Sequence, residues 1–143
     1  MAEAILRHWA QGRLRAASAG ELVSQPVSRS ALQCLGAHGI STTGLRSKPW
    51  GEFFGLGRQP VRFLIALCDV YAGRANWPPE TLISRWHMPD PTTVVGPEPE
   101  IRDAFEKAFD ILHARVQLFL ALPLDRLDDR ALTEEIARIG ERP

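Results

Sequence analysis

The chain predicts a three-layer α/β domain, with a short parallel sheet flanked by helices. Three observations carry that expectation. Segments with helical and strand-like hydrophobic spacing alternate along the sequence, as they do in layered α/β domains. Val61 and the run at positions 63–68 are almost continuously apolar, the composition of a parallel strand covered on both faces. The 143 residues suffice for one domain with a substantial core, and no repeat, low-complexity stretch or linker divides them.

Each element has a local reason. Ile5, Leu6 and Trp9 share a face of a first helix, which Gly12 can terminate. Residues 13–18 read as a weak strand ended by Ala19-Gly20, and residues 21–26 as a loop. Ser28 is the N-cap of a second helix that buries Ala31, Leu32 and Leu35 and stops within residues 36–39. The Gly-rich stretch 42–57, with Trp50, Phe53 and Phe54, is expected to be a loop containing a short apolar helix or turn. A strand over 61–68 and a shorter one over 81–86, bounded by Pro78-Pro79 and Pro89, form the sheet. After Pro97-Glu98-Pro99-Glu100, apolar residues at 101, 105, 108, 109, 112, 116, 119 and 120 trace one stripe of a long helix. Acidic residues at its start suit the helix dipole, and Pro123 ends it. A last helix from about Asp128 gathers Leu132, Ile136 and Ile139 before Gly140.

Composition narrows the function classes. Seventeen basic residues balance seventeen acidic ones, so no bulk charge draws the chain to nucleic acid or a membrane surface. The longest apolar runs are far shorter than a membrane span, and residues 1–3 lack the basic and apolar regions of a signal peptide. Two cysteines 34 positions apart make no disulfide scaffold. The expected setting is cytoplasmic, with reduced thiols. His8, His38, His87 and His113 show no metal spacing, and with the two cysteines distant from each other no zinc site is expected. Gly55-Leu56-Gly57 lacks the third glycine of a dinucleotide-binding loop, and Trp50, Trp77 and Trp86 lack the basic stripe of a base-stacking platform.

Four segments follow the opening Met1-Ala2-Glu3-Ala4 in order: Ser18-Ala19-Gly20, Thr43-Gly44-Leu45-Arg46-Ser47-Lys48, Leu67-Cys68-Asp69 and Trp86-His87-Met88-Pro89-Asp90-Pro91. The series resembles the low-molecular-weight phosphotyrosine phosphatase superfamily, and within it the arsenate reductase branch most closely, over essentially all 143 residues. The resemblance implies a cysteine thiolate that attacks arsenate or phosphate. It also implies that the family's first strand and its C-x-x-x-x-x-R catalytic loop would precede Met1. Two origins of that arrangement are open: a reading frame that starts further upstream, or a shortened relative kept as a non-catalytic binding or regulatory protein.

Two residues inherit roles from the resemblance. Cys68 matches the second redox cysteine, which attacks the arsenic adduct on the loop cysteine and releases arsenite as a disulfide forms. Asp90, between two prolines that hold its backbone extended, matches the general acid. Each has a plainer reading: a packed cysteine at a strand end, and ordinary Pro-Asp-Pro turn punctuation. Both are expected on one sheet edge, with Cys34 buried away from it as a small hydrophobe. Arg46-Ser47-Lys48 is expected to be solvated surface. No cofactor is implied beyond a thiol reductant (thioredoxin, glutaredoxin or a small thiol). Segment 73–78 holds no third thiol, and the one C-x-x-x-x-x-R spacing, Cys68 to Arg74, lacks the Gly, Ser and Asn of a phosphate cradle. The 143 residues alone are therefore expected to be catalytically incompetent. Without the first strand, the inner edges of segments 13–18 and 61–68 lack a partner, so they are expected to pair directly or to recruit a second copy as a homodimer.

Overall fold

The computed structural model describes residues 1–20, 25–53, 59–68 and 77–142. Expectations for residues 21–24, for Phe54 and the Gly55-Leu56-Gly57 loop, and for Asp69, segment 73–76 and Arg74 lie outside these. The described elements are helix α1 (Ala2–Ala10), helix α2 (Arg29–Ala37), a 3₁₀ turn (Trp50–Phe53), strands β1 (Phe63–Ala66) and β2 (Leu82–Arg85), a second 3₁₀ turn (Pro91–Thr93), and helices α3 (Glu98–Ala121) and α4 (Asp129–Gly140). The result is a mixed α/β fold.

Local chemistry sets the helix ends. Ser28 Oγ accepts from Ala31 N–H, so the predicted N-cap of α2 is in place, and Asp128, where the last helix was expected to begin, caps α4 by accepting at Oδ1 from Ala131 N–H. α1 closes through Gln11 and Gly12, both at positive φ (48° and 82°). α2 closes through Gly39 at φ 69°, which lets Ile40 N–H reach back to the Leu35 carbonyl at 2.9 Å.

The helices supply the core. Ile5, Leu35, Phe119, Leu132 and Ile136, one or two from each helix, are all but sealed from solvent. Each such side chain contributes about 1.5–3 kcal/mol on burial. The indole of Trp86 joins them, meeting Phe119 edge-on and donating from Nε1 to the Ile136 carbonyl at 3.0 Å. α4 sits directly on the chain leaving β2: a Cβ built on Gly140 would come within 2.3 Å of the Arg85 carbonyl oxygen.

The sheet is smaller than the sequence suggests. β1 and β2 are parallel, with Phe63 opposite Leu82 and Ala66 opposite Arg85, and no third strand joins them among the described residues. Residues 13–18 are not a strand; the nearest approach to one is a single parallel bridge between Gly20 and Pro49. Their amides have no ladder to join, and Ser18 N–H goes instead to the Glu3 carboxylate. β1 is half-buried throughout rather than covered on both faces, consistent with a two-stranded sheet whose other edge is unpartnered among the described residues. No helix of the described residues is long and apolar enough to cross a membrane.

Candidate functional site

Parallel pairing decides where Cys68 and Asp90 go. The carboxyl ends of parallel strands lie on one edge, the place where open α/β sheets gather functional groups. Cys68 follows the end of β1 by two residues and Asp90 follows the end of β2 by five, so both chains leave by that edge. The Cys68 thiol is free and exposed. The Asp90 carboxylate is also exposed and serves its own turn, its Oδ1 accepting from Thr92 N–H at 2.9 Å and from Thr92 Oγ1 at 2.7 Å. Asp90 thus caps the Pro91–Thr93 turn, as the plain turn reading anticipates. Both of these bonds use Oδ1.

What fixes the approach to Asp90 is a residue that sequence reasoning passes over. Arg115 is 5% exposed, on the inner face of α3. It donates from Nη1 to the carbonyls of Trp86 (3.2 Å) and His87 (3.1 Å), and from Nη2 to the Arg142 carbonyl (2.7 Å). One guanidinium therefore ties the exit of β2 to the end of α4, and burial pulls its pKa below the ordinary arginine value. The signal was present: Arg115 falls between Leu112 and Phe119 on the apolar stripe of α3, where a charge is out of pattern.

The start of α1 holds a second polar centre. Lys48, expected on the surface, is 7% exposed, and its Nζ lies 2.8 Å from Oε2 of the equally buried Glu3. The same oxygen accepts from Ser18 N–H (2.9 Å) and Ser18 Oγ (2.6 Å), and Arg7 meets Oε1 at 3.1 Å. Burial would raise the Glu3 carboxyl, but the Lys48 ammonium and the two Ser18 donors outweigh it and hold the group below the usual glutamate value. Of the basic tripeptide only Lys48 turns inward; Arg46 stays outside, paired with Glu52. Glu3, Ser18 and Lys48 therefore clamp segments 18–20 and 46–50 onto α1.

Cys34 is buried, as expected of a small hydrophobe, but it is not isolated among apolar groups. Its Sγ–H points to the Phe105 carbonyl at 3.7 Å, and Sγ, a His38 nitrogen and a Glu106 oxygen lie within 4.8 Å of one another. Burial first, then the Glu106 carboxylate, push the thiol up to about 12. Cys34 also lies close enough to the Met1 amino group for each to shift the other. The sequence carries a Cys-x-x-x-His pair here, one helical turn apart, which comparing the histidines with one another and the cysteines with one another does not reveal.

No protein-family model matches the chain, and no curated protein matches it.

Proposed function

We propose that the chain is an arsenate-reductase-type member of the low-molecular-weight phosphotyrosine phosphatase superfamily, in which Cys68 is the second redox thiol and Asp90 the proton donor. The observation that carries the reading is the parallel β1–β2 register, which sends both residues out of the same sheet edge. The chemistry needs a nucleophilic thiolate in a cradle of backbone N–H groups with an arginine. Neither cysteine is followed by the Gly-, Ser- and Asn-rich sequence of such a cradle, so in this reading the 143 residues alone act on neither arsenate nor an aryl phosphate. With a loop cysteine supplied, arsenic(V) is reduced to arsenic(III) as that cysteine and Cys68 give up two electrons and become a disulfide. An external dithiol, or two monothiols in turn, then reduces the disulfide and is itself oxidised to a disulfide. A cytoplasmic setting suits two free thiols.

The test is to join a strand and a C-x-x-x-x-x-R loop ahead of Met1 and to assay arsenate reduction with a thiol reductant. The joined protein is expected to turn over arsenate, to lose that activity with Cys68→Ser, and to lose about 10²–10⁴-fold of aryl phosphate hydrolysis with Asp90→Asn. Activity that ignores both substitutions contradicts the assignment.

A second reading is favoured by β1, half-buried and paired on one edge only among the described residues. In that reading the chain is a non-catalytic interaction protein that dimerises through the open edge. Sedimentation at micromolar concentration separates the two: a dimer that Ile65→Pro dissociates supports the second, and a monomer removes it.

A further inference from the structure

Cys34, His38 and Glu106 bring three different metal-binding groups together at the junction of α2 and α3, and none of them belongs to the Cys68–Asp90 edge. Cys34 and His38 stand one turn apart at the end of α2, and His38 N–H bonds the Cys34 carbonyl at 3.2 Å, which keeps the two side chains on one face. The His38 ring lies flat on Phe109, with centroids 3.7 Å apart and planes 11° apart, so the imidazole is oriented before any ligand arrives. Its Nε2 is 2.7 Å from Glu106 Oε2, and both side chains are 36% exposed above the buried sulfur. Asp110, one turn beyond Glu106, adds negative potential at the thiol.

We infer that Cys34, His38 and Glu106 form a Zn²⁺ site, with the fourth position open to water. The donor set decides the class of ion. A thiolate with an imidazole selects a borderline-soft transition metal and rejects Mg²⁺ and Ca²⁺, which require oxygen ligands. Donors on one tetrahedral zinc stand about 3.3–3.6 Å apart, given bonds of about 2.0–2.3 Å. The three atoms here already lie within 4.8 Å, and the half-exposed His38 and Glu106 side chains cover the remaining adjustment by rotation. A divalent cation also suits the local charge: the Glu106 carboxylate becomes a ligand and Asp110 a favourable neighbour, and the thiol proton is released to solvent when the metal binds. Three protein ligands and a water position is the coordination of an exchangeable zinc rather than of a closed structural site.

The test is to strip the purified chain with a chelator and titrate it with Co²⁺, then with competing Zn²⁺. One equivalent is expected to bind, with the intense visible bands of a tetrahedral ion and a thiolate-to-cobalt charge-transfer band, both erased by Zn²⁺ and untouched by Mg²⁺. Loss of an outer-shell group costs about 10–100-fold in metal affinity, so loss of a ligand in His38→Ala or Cys34→Ser is expected to exceed about 100-fold. Cys68→Ser should bind as the parent does. His38 is exposed, so His38→Ala gives an answer even if Cys34→Ser fails to fold. The inference is overturned if no equivalent binds, if the thiolate band is missing, if His38→Ala binds as the parent does, or if the band disappears with Cys68→Ser.

Discussion

The two cysteines occupy opposite kinds of place, and the contrast shows what each region is built to do. Cys68 stands exposed just beyond the end of β1, a half-buried strand. Cys34 is buried between two helices, against a backbone carbonyl, a histidine and a carboxylate. An accessible thiol can exchange with a disulfide, whereas one kept neutral and enclosed is inert until a cation displaces its proton. Stability follows the same division. The helical side holds the sealed core and the Glu3–Lys48 pair, and the sheet edge holds almost none of either.

The sharpest way to break that contrast is to attack the helical side. Lys48→Ala leaves Glu3 charged and buried with only Ser18 and Arg7 beside it. It should destabilise the chain by about 3–5 kcal/mol, against a net stability of ~5–15 kcal/mol for a domain of this size. Urea midpoints measure the loss, and a change under 1 kcal/mol would mean that the pair is hydrated. The same carboxylate sets an acid limit. Its folded pKa is depressed, so its contribution is complete above the ordinary glutamate value near ~4.3 and disappears as pH falls through the lower folded value. Lys48→Ala should flatten the acid limb of stability against pH. Cys34 acts at the other end of the scale: with its folded pKa raised to about 12, stability falls as pH climbs above the ordinary thiol value of ~8.5.

Gly140→Ala probes the joint between the two regions. The added methyl meets the Arg85 carbonyl and the Trp86 ring, so α4 must shift off the end of β2. Overpacking of this kind costs about 1–3 kcal/mol, and thermal melts read it directly. At the sheet edge the effects shrink. Asp90→Ala removes the cap of a three-residue turn and should cost about 0.5–1 kcal/mol, while Cys68→Ser should stay within about 0.5 kcal/mol of the parent. A large loss at Cys68 would mean that the edge is part of the core.

How much of this was legible in the sequence depended on how local its cause was. α3 and α4 were readable because their 3.6-residue apolar stripes, and the Pro123 that ends α3, are written within or beside their own segments. The parallel strands were readable from the apolar run at 63–68 and the prolines around 81–86. Segment 13–18 was not, because a weak strand exists only if a neighbour supplies its hydrogen bonds, and here Glu3 takes the Ser18 amide instead. Lys48 read as solvent-facing because its partner stands 45 positions away. Cys34 shows the same limit. Its four-residue spacing from His38 is local but was passed over, and Glu106 arrives only when α3 packs against α2.

Thiol labelling tests the contrast most directly. The folded chain is exposed to a maleimide and the adducts are located by mass spectrometry, then the experiment is repeated in denaturant. The account predicts one adduct in the folded chain, at Cys68, and two in the unfolded chain. Cys34 should react at least about 1000-fold more slowly than Cys68 under native conditions, because its labelling waits on an opening close to global unfolding. Native labelling of Cys34 at a rate comparable to that of Cys68 would contradict the account.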